Sequence, residues 1–175
     1  MKTLPSILVP IDFSDLSREA FFVACDVARK FGATLMVMHV TDFISPSLYF
    51  AEGMLRLESD SELIDLRIAT EKEIEKLMAD ERARSLRIHP ILAMGVPSRE
   101  IAEKAKHHKV DLIVMSTHGR TGISHFLLGS VAEDVIRKAP CPVLTLNPNV
   151  LSAIKNGELS ISEVVGKGIT HEHKL

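Results

Sequence analysis

A chain of 175 residues, 46% hydrophobic and 25% charged, is long enough for one domain with a buried core and cramped for two. A formal net charge of −2 and few aromatics, with no Trp and one Tyr, exclude both a bulk attraction to nucleic acid and a base-stacking platform. Cys25 and Cys141 form neither a CxxC nor a zinc pattern, and no signal peptide or membrane-length apolar run is visible, so a reduced, cytoplasmic protein without a membrane or nucleic-acid partner is expected.

Ser6-Ile7-Leu8-Val9, halted by Pro10, reads as a buried parallel strand. Asp12, Ser14 and Asp15 crowd acceptors where a helix should start. That helix reaches about Phe31, with Ala20, Ala24, Val27, Ala28 and Phe31 inward and Gly32 just past its end. Thr34 to Val40 is a second strand. Asp42 to Glu58 is a long connection, and Ser59 with Glu62 offers a capping box. The helix that follows should run to about Ala83, with Leu63, Leu66, Ile74 and Leu77 inward.

Arg87 to Met94 is a third strand, and Pro90 within it, lacking an N–H, belongs at a sheet edge. After Gly95-Val96-Pro97, Ser98 should cap a short helix carrying Ile101, Ala102 and Ala105, with His107 and His108 placed to complement its dipole. Val110 to Met115 is a fourth strand and Pro142 to Leu146 a fifth. From Asn147 the periodicity fades, so residues 1–147 form the domain and 148–175 a C-terminal extension. Its apolar residues Val150, Leu151, Ile154, Ile161, Val164 and Val165 are expected either to cover part of a partner subunit or to belong to a loosely held extension.

The stretch between the last two strands carries the chemistry. A strand ending at Ser116 enters a loop with Gly119 and Gly122, then meets Gly129-Ser130, which opens the helical pattern Val131 to Lys138. Backbone N–H groups at a helix start lack intrahelical partners and the helix dipole adds positive charge there, so a phosphate-bearing ligand is expected near Gly119, Gly129 and Ser130. Strands alternating with helices give an open, five-stranded parallel α/β sheet with helices on both faces. If the third strand is an edge, the order is 3-2-1-4-5, and the switch point lies between strands 1 and 4. Pro10, Ile11 and Asp12 after strand 1 and Ser116 to Gly119 after strand 4 then flank one crevice.

The segments Val9 to Ser14, His39-Val40, Ser116 to Gly122 with Gly129-Ser130, and Ala139 to Leu144 resemble the ATP-binding branch of the universal stress protein family. The family's loop motif is Gly, two residues, Gly, nine residues, then Gly with Ser or Thr; Gly119 and Gly129-Ser130 match it, while Ser116 stands where the first glycine belongs. The resemblance implies Asp12 and Val40 at the adenine end, Pro10, Met115 and Ser116 along adenine and ribose, and His118, Gly119, Gly129, Ser130 and Val131 around the phosphates. Ile11 and Arg120, inside the matching segments, are counted with them. It also implies ATP as ligand, with Mg²⁺ or Mn²⁺ carried by the phosphates, and a homodimer through Val143 to Leu146. An unidentified regulatory protein would then be the listener.

No P-loop lysine, nucleophile elbow or HExxH motif is present, so no catalytic residue is assigned. Two other readings stay open: a nucleotide-free dimeric stress scaffold, with Ser116 marking a lost site, and a slow ATPase or self-phosphorylating protein.

Overall fold

The computed structural model describes residues 5–41, 60–118 and 129–168, with backbone only for 60–63 and 166–168. The elements are β1 (Ser6–Ile11), α1 (Asp15–Phe31), β2 (Thr34–Thr41), α2 (Asp60–Ala79), a 3₁₀ turn (Glu81–Ala83), β3 (Ile88–Met94), α3 (Pro97–His107), β4 (Leu112–Ser116), α4 (Ser130–Lys138), β5 (Val143–Leu146), α5 (Pro148–Lys155) and α6 (Ile161–Gly168). All strand pairs are parallel and their order is β3-β2-β1-β4-β5, as the edge argument from Pro90 required. Leu35 N–H donates to the Arg87 carbonyl, so odd residues of β3 face β2, and Pro90 turns its missing donor to the open edge.

Alternation along each strand feeds two cores. Ile7, Val9 and Ile11 of β1 join Leu35, Val37, Leu112 and Val114 beneath α1, α2, α5 and α6. Leu8, Met38, Ile113 and Met115 face α3 and α4 on the other side. Helix α1 starts where its capping sequence says: Ser14 Oγ accepts from Ser17 N–H at 3.3 Å, and Gly32 closes it at φ 67° in the left-handed region.

The structure departs from the sequence expectations at four places. Strand β1 does not stop at Pro10 but continues to Ile11. Its even residues face β4, since Asp111 N–H donates to the Ser6 carbonyl, while β1–β4 pairing covers only Ile7 with Leu112 and Leu8 with Ile113. Pro10 is the next residue due to donate toward β4 and has no N–H, so the two strands part there. Helix α2 ends at Ala79 rather than Ala83, because the Asp80 side chain accepts from Arg82 N–H at 2.9 Å and starts the 3₁₀ turn. Ile74 and Leu77 are buried, but Leu66 is 42% exposed, since it borders the crevice rather than the core. The capping box at Ser59 lies outside the described residues, and of Leu63 only the backbone is described.

At α3 the cap is Val96 with Pro97 in the first turn, not Ser98. The buried Ser98 hydroxyl instead donates to Asp134 Oδ2 at 3.2 Å and ties α3 to α4. The residues after Asn147 are not a free arm. Asn147 caps α5, and Leu151, Val164 and Val165 are buried against α1 of the same chain. Lys30 binds Ser162, and Lys155 faces Glu19 at 3.8 Å.

Candidate functional site

Where β1 and β4 part, a cavity of about 620 Å³ opens at the carboxyl ends of the strands. Pro10, Ile11, Asp12, Val40, Met115, Ser116, His118, Gly129, Ser130 and Val131 all line it. These are the described members of the set expected from sequence; Gly119 and Arg120 lie outside the described residues.

The β1 side is built by Asp12. Its Oδ1 accepts from Ser14 N–H at 3.1 Å and Ser14 Oγ at 2.6 Å, and its N–H donates to Ser17 Oγ at 3.3 Å. Asp12 therefore organises the start of α1 while standing in the cavity wall. On β2, Thr34 N–H donates to the Pro5 carbonyl, so even residues face β1. The β1–β2 register ends at Ile11 with His39, which leaves the Val40 carbonyl at the open end of that ladder, facing the crevice. Met38, Met115 and Ile101 add an apolar floor beside it.

The β4 side is a tied turn. Thr117 N–H donates to the Leu146 carbonyl at 3.0 Å, Ser116 Oγ donates to the His118 carbonyl at 2.9 Å, and Thr117 Oγ1 shares a hydrogen bond with His118 Nδ1 at 2.8 Å. Gly129 N–H donates to the Thr117 carbonyl at 2.8 Å. Gly129 has φ −60°, so its glycine is not needed for backbone freedom. It is needed for space: a Cβ there would stand 2.6 Å from the Thr117 carbonyl oxygen. The close approach aims the first turn of α4 at the crevice, and among the described residues no side chain caps that turn. The N–H groups of Ser130, Val131 and Ala132 are the free donors of a helix N-terminus, with the dipole behind them.

A further wall comes from residues the sequence reading did not assign. Leu66, Ala69, Thr70 and Glu73 of α2 line the cavity, as do Phe13, Ser17, His39 and Thr41. Hydrogen bonds from Lys76 and then Arg18 hold the Glu73 carboxyl below the usual range, so it stays anionic. The signal that could have found this wall is the weak amphipathicity of α2, whose Ile64, Leu66 and Ile68 are exposed. Among the described residues no group of His, Cys, Asp and Glu is arranged to hold a metal ion, and no helix is long and apolar enough to cross a membrane.

An open parallel sheet whose crevice sits at the strand-order reversal, faced by an uncapped helix N-terminus, defines a doubly wound α/β protein, a class whose ligands bind at the switch point. The family model described as the universal stress protein family matches residues 4–147. The chain belongs to the universal stress protein family. It is 40% identical over 141 residues to universal stress protein MJ0531 of Methanocaldococcus jannaschii, covering 80% of each chain. Among solved structures it is similar to protein MJ0577 of the same organism, with 27% identity, a TM-score of 0.65 and coverage of 83% of this chain and 97% of that one. It shares its fold with the universal stress protein from Archaeoglobus fulgidus in complex with dAMP, at 22% identity, a TM-score of 0.54 and coverage of 83% and 98%.

Proposed function

We propose that this chain is an ATP-binding regulatory protein of the cytoplasmic stress response, with the nucleotide in the crevice between β1 and β4. The observation that carries the reading is the pairing of an apolar slot with the uncapped first turn of α4, held in place by the Gly129 to Thr117 contact. The base lies along Met38, Val40 and Met115, with the Val40 carbonyl as an acceptor for an exocyclic amine. The phosphates meet the N–H groups of Ser130 to Ala132. The dAMP complex of the Archaeoglobus relative supports an adenine nucleotide as the ligand class. Mg²⁺ or Mn²⁺ travels with the phosphates and keeps most of its water. The chain works as a homodimer through β5, and occupied and empty forms present different surfaces to a regulatory partner.

The test is to denature the purified protein, identify any released nucleotide, and titrate the emptied protein with ATP, AMP and GTP. Tight ATP binding with weaker GTP binding supports the proposal. No released nucleotide and no binding would leave a nucleotide-free dimeric scaffold. Turnover of labelled ATP separates a slow hydrolase from a pure binder.

A further inference from the structure

Three described non-glycine residues have positive φ: Phe13, Ser85 and Lys109. Of these only Phe13, at φ 65°, lines the crevice. A bulky aromatic residue in the left-handed region is strained, and such strain persists only where the surroundings over-determine it.

Here the surroundings form a chain of contacts across three elements. Arg18 Nε donates to the Phe13 carbonyl at 3.1 Å, and the Arg18 guanidinium lies 5.6 Å from the centroid of the Phe13 ring. Arg18 Nη2 in turn binds Glu73 Oε2 of α2 at 3.1 Å. The His39 ring sits 4.7 Å from the Phe13 ring, and its Nδ1 donates to the Ile11 carbonyl at 2.8 Å. A carbonyl can only accept, so Nδ1 carries the hydrogen of that bond.

The ion pair does not explain itself through stability. Arg18 and Glu73 are 32% and 34% exposed, and pairs that exposed contribute little to folding. What the pair does is geometric: Arg18 holds both the carbonyl and the ring of Phe13, and Glu73 holds Arg18. We propose that Arg18 and Glu73 are positioning residues for the nucleotide base, holding Phe13 against His39 so that its ring walls the crevice on the α1 side of the sheet, opposite the Met38 and Met115 floor. The proposal rests on the nucleotide reading above and deepens it. It makes base affinity depend on α2, an element outside the glycine loop. That wall is aromatic and flat, which suits a planar purine.

The test uses the full-length protein, with ATP titrated directly and adenosine by competition. Arg18→Ala is expected to weaken ATP and adenosine by the same factor, about tenfold, with the thermal midpoint close to wild type. Glu73→Gln should give a smaller loss of the same sign. Phe13→Leu keeps apolar bulk and removes the ring, and adding Arg18→Ala to it should cost less than about twofold more. Full additivity of the two substitutions would show that Arg18 does not act through Phe13 and would overturn the proposal. So would a folded Arg18→Ala protein whose adenosine affinity is unchanged, or one that loses ATP affinity alone. Failure of the wild type to bind either compound would instead sink the nucleotide reading itself, and needs no variant to be seen.

Discussion

Gly129 donates its N–H to the Thr117 carbonyl at 2.8 Å, and that same oxygen stands 2.6 Å from where a side chain on residue 129 would begin. The contact that aims α4 and the space that excludes a side chain are one feature. Gly129→Ala is therefore expected to destabilise the fold by about 1–3 kcal/mol, the usual range for forced overpacking. It should weaken ATP more than adenosine, because the helix start moves and the base slot does not. Denaturant unfolding and parallel titrations check both parts. An alanine variant as stable as wild type would show that the turn relaxes freely.

Ser116 occupies the position where the family's motif has glycine, and its hydroxyl donates to the His118 carbonyl at 2.9 Å. Ser116→Gly loses that bond and gains backbone freedom in the loop. Stability should fall by about 1 kcal/mol, and ATP affinity by several-fold rather than rise. Ser116→Thr, which keeps the hydroxyl, should stay nearer to wild type. Calorimetric titration decides; a glycine variant that binds more tightly would mean the side chain only obstructs the ribose.

Leu146 accepts from Thr117 N–H, so even residues of β5 face β4 and the peptide groups of Val143 and Thr145 point away from the sheet. An edge of this kind invites a second strand. Thr145→Pro deletes one outward donor and spares the β4 ladder. If β5 pairs with its copy in a two-fold dimer, this variant should be monomeric by light scattering where the wild type is dimeric, with unchanged circular dichroism. A dimer that persists in the variant would place the interface elsewhere.

Leu151, Val164 and Val165 are each at most 6% exposed, and they belong to the core beneath α1. Removing residues 148–175 uncovers that core. The loss should be on the order of 5 kcal/mol, from about 1.5–3 kcal/mol for each fully buried aliphatic side chain. Urea unfolding and binding of a hydrophobic dye report it. A truncated protein of wild-type stability would mean that the two helices merely rest on the surface.

Burial pushes the Cys25 thiol up to about 12. Between its ordinary pKa near 9 and that value, the folded chain holds a proton that the unfolded chain has released. Stability is thus fully present below pH 9 and declines as pH rises toward about 12. Cys25→Ala should lack this component, so the gap between the wild-type and variant unfolding curves should narrow or change sign from neutral to alkaline pH. The same burial makes Cys25 slow to react with thiol reagents in the native state.

Strand order was legible because proline lacks a ladder donor, and at Pro90 that missing donor points to an open edge. The crevice followed from that order, and Gly129 and the start of α4 line it. Pro10 misled for the same reason. Its missing donor suggested a strand end, whereas the strand runs on and only one of its two ladders stops. Ser98 showed a capping composition, but Pro97 took the first turn and left its hydroxyl to Asp134. The α2 wall was hidden because the Arg18–Glu73 pair spans 55 positions and neither residue is unusual on a helix surface. The C-terminal helices were hidden because each is only 8 residues long, too short for periodicity to stand out.

The parting of β1 and β4 at Pro10 has a kinetic meaning as well. A ladder that could zip past Leu8 and Ile113 would compete with any guest for the same backbone edges. Proline removes that competitor from the covalent structure itself, so the cleft stands open before anything enters it. Entry then requires no prior rupture of strand pairing at this junction, and the backbone around the guest is already preorganised, which lowers the ordering cost of association. Restoring a donor with Pro10→Val would give the sheet the means to heal across its own doorway.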